Sequence, residues 1–249
     1  MTPKLSWNEQ LKRYRQGKAE EYARAIVQTA VKLPLFKTLR FPGVIMVMGD
    51  IRAGKTALAH EIAHYYQEKH GIPAVIHLPG VPEDIRRRIQ KQLPSWMKAV
   101  ATKNVWPKDA VIIYDEAAQS AHARRTQSGD AIELDDLLAI SGQRRQLVLF
   151  ISHHSRKLDV NICTAVHRII WKRPTYAHQL WERNEMSDFT AKAFEFFKGI
   201  KGEVAKMKAS LVLDLDNFRF LQTSNNLPPW WSDELSCLFQ DVQRATKGV

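Results

Sequence analysis

An apolar run, "GVIMVM" (43–48), passes without a break into "GDIRAGKT" (49–56), and this junction constrains the fold more than any other stretch of the chain. The octapeptide satisfies G-x-x-x-x-G-K-[ST] in full, with a strand-like segment before it and a helix-like one after it. Gly49 and Gly54 let the backbone curl until the N–H groups of Gly49, Asp50, Ile51, Arg52, Ala53, Gly54, Lys55, Thr56 and Ala57 can face phosphate oxygens. The helix that begins here adds the positive end of its dipole. In such a cradle Lys55 reaches the β- and γ-phosphates as a point charge and Thr56 places its hydroxyl on Mg2+. ATP with Mg2+ is the expected ligand.

A second run, "AVIIYDEAA" (110–118), ends a buried strand in two carboxylates. Asp115 is placed to hold the hydrated Mg2+ and Glu116 to polarise the attacking water. A competing motif, "HEIAH" (60–64), satisfies H-E-x-x-H and would put His60 and His64 on one helix face, as a zinc protease requires. It sits on the helix leaving the phosphate loop and has no H-x-x-G-x-x-H continuation to supply a third ligand. Solvated or internally satisfied helix histidines are the favoured reading.

Short β-branched or apolar runs alternate with helical stretches: 43–48, a helix over 55–69, 73–78, a helical region over 82–100, 110–116, a helix around 132–144, 147–152 and 166–171. That rhythm predicts an α/β fold with a mostly parallel central sheet flanked by helices, which together with the phosphate loop makes a P-loop NTPase. The expected organisation is an N-terminal helical extension (1–40), an ATPase core (41–180) and a C-terminal appendage packed on the core (181–249). The extension reads as an amphipathic helix over Trp7–Lys32, and the appendage as a helix over 186–200 N-capped by Ser187, followed by a period-two run over 210–221.

The 249 residues carry a formal net charge of +11 and a sequence pI near 9.7, an excess that suits a polyanion such as nucleic acid as readily as it suits a solvated basic surface. Basic clusters at Lys12–Lys18, Arg86–Lys91 and Lys198–Lys208 could each neutralise backbone phosphates. Trp230 and Trp231 could stack bases, although anchoring a terminal helix on the core is the more ordinary use of such a pair. Two cysteines without CxxC spacing, Cys163 and Cys237, support neither a disulfide framework nor a cysteine zinc site, and they fit a reducing cytoplasm. Neither a signal peptide nor an apolar run of spanning length is expected.

The order "VIIYDEAAQSAHARR", "IELDDLLAISGQRRQ", "LVLFISHHSRKLD", "VNICTAVHRIIW" resembles the HerA/FtsK superfamily of DNA-translocating ATPases, and within it the small Zot-like phage proteins and viral genome-packaging ATPases. The resemblance covers roughly residues 43–172. It implies the RecA/FtsK-like type of P-loop fold and a homo-oligomeric ring, usually a hexamer, that drives double-stranded DNA, with capsid or portal-vertex proteins as partners and the host cytoplasm or virion packaging vertex as its place of action. It also implies a polar sensor after the strand beside the acid strand. His153 stands where the family more often has glutamine, and serves either as that γ-phosphate sensor or as a loop histidine without catalytic part. His154, its neighbour on a strand, faces the other way. An arginine acting in trans is implied just before the sensor strand, where Arg144 and Arg145 lie, with Arg124 and Arg125 in reserve. A helicase or helicase loader, a Zot-like assembly ATPase and a non-hydrolysing scaffold are the alternatives, and no helicase motif beyond the two acids is present.

Overall fold

A computed structural model describes residues 31–115, 141–155, 163 and 165–247. The described residues form one sheet from β1 (Val31–Lys32), β2 (Gly43–Gly49), β3 (Ala74–His77), β4 (Met97–Val100), β5 (Val111–Asp115), β6 (Leu147–Ser152), β7 (Arg168–Lys172), β8 (Ala209–Asp214) and β9 (Arg219–Ser224). Their spatial order is β1-β9-β8-β7-β2-β6-β5-β3-β4. The block from β7 to β4 is parallel throughout, while β8 is antiparallel to both β7 and β9. The helices are α1 (Lys55–His70), α2 (Glu83–Gln92), α3 (Tyr176–Trp181), α4 (Asn184–Lys198), α5 (Glu203–Lys208) and α6 (Asp233–Lys247).

Strands buried on both faces explain why β2, β5 and β6 read as unbroken apolar runs and not as alternations. Their residues divide by parity. Ile45, Val47, Ile113, Leu147, Leu149 and Ile151 join Leu58 and Ile62 of α1 and Leu238 of α6 in one core. Met46, Met48, Ile112, Val148 and Phe150 join Trp106 and Phe197 of α4 in the other. Each such side chain contributes about 1.5–3 kcal/mol relative to exposure, so the sheet rather than any loop fixes where the strand ends stand.

Four local expectations change. The helical region over 82–100 divides, because Leu93 takes an extended conformation before Pro94 and Met97–Val100 then pairs with β3. The helix expected to be capped by Ser187 starts earlier, at Asn184, and Ser187 Oγ donates back to Asn184 O at 2.9 Å inside it. The period-two run over 210–221 is two strands folded on each other, with Leu213 opposite Phe220 and Asp214 opposite Arg219. Of the expected N-terminal helix, Val31 and Lys32 instead form β1 beside β9, and the remainder lies outside the described residues. Most of the helix expected around 132–144 lies outside them as well.

The "HEIAH" helix is α1, and its histidines are structural. His60 is fully buried, its Nδ1–H donates to Thr56 O at 2.8 Å, and its ring stands edge-on to Trp230, Trp231 and Phe239 at 5.7, 5.1 and 5.4 Å. His64 stacks against Trp96. Among the described residues no group of three or more His, Cys, Asp or Glu side chains is placed to hold a metal ion. The tryptophan pair therefore anchors the C-terminal segment over α1, with Trp231 Nε1 donating to Ser236 Oγ at 2.8 Å.

Burial pushes His60 down to about 4 from its ordinary 6.5. Between those values the unfolded chain takes up a proton that the folded chain refuses, so this stability is intact above about pH 6.5 and lost as pH falls toward about 4, roughly 3 kcal/mol in all. Glu61, raised to about 7 by burial, runs in the opposite sense over an overlapping range, so the signature is a difference. In urea unfolding, His60→Gln should be less stable than wild type at pH 7, and the gap should shrink by up to about 3 kcal/mol toward pH 4. A gap independent of pH would rule out a buried neutral imidazole.

Candidate nucleotide site

β2 enters the phosphate loop through a glycine that no other residue could replace. Gly49 has φ +142°, and a Cβ there would lie 1.7 Å from Lys172 O on the neighbouring β7. The loop then closes on itself, with Ile51 N–H donating to Asp50 Oδ1 at 2.8 Å and Ala53 N–H to Asp50 O at 3.2 Å. Gly54, at φ +84°, turns the chain into α1 as its N-cap.

Lys55 folds back across this curl. Its ammonium donates to Gly49 O at 2.9 Å, Asp50 O at 2.7 Å and His153 Nδ1 at 3.1 Å. An ammonium only donates, so in this contact Nδ1 of His153 accepts and the neutral ring carries its proton on Nε2; the same Nδ1 stands 3.3 Å from Gly49 O, to which the other tautomer would donate. β6 lies between β2 and β5, with Met48 opposite Ser152 and Ile151 opposite Asp115. Gly49, His153 and Asp115 therefore reach the same carboxyl edge of the sheet, where open α/β sheets bind ligands. Thr56 Oγ1 donates to Asp115 Oδ2 at 3.2 Å. These two hard oxygens fit Mg2+, which commonly takes one or two protein oxygens and completes its shell with water and phosphate.

A cavity of about 500 Å3 opens on this loop, within the roughly 300–1,000 Å3 of small-molecule sites. Ile51–Ala57, Asp115 and His153 line one side, while Met207, Leu227, Trp231 and residues of α6 close the other. The structure thus brings together Gly49 through Ala57, Asp115 and His153. Arg144 and Arg145 lie at the opposite edge, where β6 begins: Arg144 Nη2 donates to Trp106 O, and Arg145 pairs with Asp109 at 2.6 Å. Glu116, Arg124 and Arg125 lie outside the described residues.

Further residues border the site that no motif announced. His154 stacks on His178 of α3 at 4.4 Å, and burial, followed by His154, holds His178 below the ordinary histidine value, with Asp50, Gly49 and Lys55 of the loop also acting on it. Lys172, fully buried at the end of β7, donates to Met207 O, Ala209 O and Asn225 Oδ1 at 2.5, 2.7 and 2.7 Å. Glu61 Oε1 accepts from Asn226 N–H at 2.9 Å. Burial pushes Lys172 down to about 7 and Glu61 up to about 7, and their mutual attraction opposes both shifts. The one sequence signal was a lysine directly after the apolar run Ile169–Trp171, which if buried demands acceptors nearby.

No family model and no curated protein matches the chain. Solved structures do. The genome packaging NTPase B204 of Sulfolobus turreted icosahedral virus 2, in complex with AMPPCP, superposes with a TM-score of 0.51 at 13% identity, covering 75% of this chain and 98% of that one. The DNA-packaging ATPase B204 of Sulfolobus Turreted Icosahedral Virus gives 0.50 at 14% identity, over 75% and 98%. The N-terminal domain of zonular occludens toxin from Neisseria meningitidis gives 0.39 at 12% identity, over 76% and 96%. A phosphate loop at the carboxyl edge of a mostly parallel sheet, with one strand inserted between it and the acid strand, gives this chain the P-loop NTPase fold, in the form that B204 also takes.

Proposed function

We propose that the chain is an ATP-driven translocase of double-stranded DNA that packages a viral or mobile-element genome, hydrolysing Mg-ATP between the subunits of a homo-oligomeric ring, a hexamer by the family's habit. What carries this reading is the Lys55–His153 contact at 3.1 Å, made from just beyond the strand that lies between the phosphate strand and the acid strand. It sits on a fold shared with a protein described as a genome packaging NTPase. The positive charge of +11 supports a polyanionic track, and Arg87, Arg88 and Lys91 of α2 offer exposed cations for it. Capsid or portal-vertex proteins are the natural docking partners of such a motor. Among the described residues no helix is long and apolar enough to cross a membrane.

In this mechanism the loop amides and Lys55 hold the β- and γ-phosphates, displacing Lys55 from the carbonyls of Gly49 and Asp50. Thr56 and Asp115 are the residues that would hold Mg2+, which would supply neutralisation of charge developing on the phosphate oxygens. His153, its Nδ1 occupied by Lys55, directs Nε2–H at the terminal phosphate or the attacking water. Glu116 orients that water. Arg145 is the better of the two trans candidates, because its side chain is 67% exposed and a surface ion pair with Asp109 is worth at most about 1 kcal/mol, whereas Arg144 is held by a backbone carbonyl.

ATPase assays with and without double-stranded DNA at low salt test the whole reading: DNA should raise the wild-type rate several-fold, and Lys55→Ala should lower it by about 100-fold or more. A rate indifferent to DNA sinks the motor. His153→Gln should retain activity within about threefold, while His153→Ala should lose roughly 10- to 100-fold in kcat with little change in KM. Mixing Lys55→Ala subunits with Arg145→Ala subunits should restore part of the ATPase that each lacks alone, because mixed rings contain some intact interfaces. Absence of recovery removes Arg145 from the shared site.

A further inference from the structure

The phosphate-binding side of the cavity is fixed by the loop, but its other end is built from the C-terminal segment. β6 and β5, which carry His153 and Asp115, lie on one side of β2, while β7, β8 and β9 lie on the other. A triphosphate whose terminal phosphate sits at Lys55, Thr56 and Asp115 therefore directs its nucleoside toward the β7–β8 side. There the lining offers Met207, 44% exposed at the end of α5, and Leu227, 60% exposed after β9. Trp231 and Phe239 are already stacked on each other and packed edge-on with His60, so they are not the apolar surface in need of a partner.

Both apolar residues are held from beneath. Lys172 lies backbone to backbone with Gly49, and its stem passes 3.9 Å from where a Cβ on Gly54 would stand. Its three ammonium protons match three oxygens, of Met207, Ala209 and Asn225. Glu61, on the helix that the phosphate loop feeds, holds Asn226 N–H next to Leu227. One buried basic and one buried acidic side chain thereby tie both walls to the loop itself.

We propose that Met207 and Leu227 form the seat of the nucleobase, and that Lys172 and Glu61 are positioning residues that set this seat at a fixed distance from the phosphate loop. The proposal rests on the nucleotide-site reading above and names the base-binding half of that site. Two ligands separate the halves: a non-hydrolysable ATP analogue, which uses both, and inorganic tripolyphosphate, which uses the loop alone, each titrated calorimetrically with Mg2+.

Met207→Ser and Leu227→Ser, on exposed side chains that leave the core intact, should each weaken the ATP analogue about tenfold and leave tripolyphosphate within about twofold. Lys172→Met should weaken the analogue similarly with tripolyphosphate retained. Unchanged analogue affinity in both serine variants overturns the seat. Equal loss of both ligands in Lys172→Met overturns its positioning role, since that lysine would then be supporting the loop. Tripolyphosphate binding that survives Lys55→Ala undiminished would instead overturn the nucleotide-site reading, a result distinct from either.

Discussion

The close approach of Gly49 to the Lys172 carbonyl is the constraint on which the site depends. Two parallel strands can bring backbone this near only where one residue has no Cβ, and at φ +142° only glycine is at ease. Because β2 and β7 meet there, the phosphate loop starts from a rigid pair of strands and not from a free end. Lys172 then turns its head toward the C-terminal segment, and Lys55 turns its own back onto the Gly49 carbonyl. Two lysines thus meet at one glycine, Lys55 through its ammonium and Lys172 through its backbone, the first ready to exchange its carbonyl partners for phosphate and the second with its ammonium held by three oxygens.

The parallel sheet was legible because its strands are buried on both faces, which leaves contiguous apolar strings, and because the loop and Asp115 sit at the ends of those strings. Edges were harder to read. β4 is a four-residue strand behind Pro94, too short to outweigh the helical pattern ahead of it. The turn at 215–218 lacks glycine and proline, so a hairpin looked like one alternating strand. Ser187 resembled a cap because a serine before an apolar run usually is one, yet Asn184 begins the helix a turn earlier.

Within the site, legibility followed sequence distance. Lys55, Thr56 and Asp115 belong to short patterns with a fixed chemical meaning. Glu61, Lys172, Asn225 and Leu227 come from four separate places, and no spacing rule brings them together before the fold exists. The paired histidines illustrate both cases. Strand alternation was the expected ground for separating them, yet β6 ends at Ser152 and both histidines lie just beyond it, where His153 meets Lys55 and His154 stacks on His178 of α3. The second histidine thus has a partner bordering the phosphate loop that parity could not name.

The short outer strand β4 has a further meaning for how copies of this chain could associate. Its four residues include an exposed Lys98, and a charged, brief edge is a poor template for another strand. Copies meeting on that flank would have to do so through side chains, not through shared backbone hydrogen bonds. Surfaces joined in that way can slide and re-form without tearing a sheet, so rearrangement between neighbours would leave the strands that carry Gly49, His153 and Asp115 undisturbed.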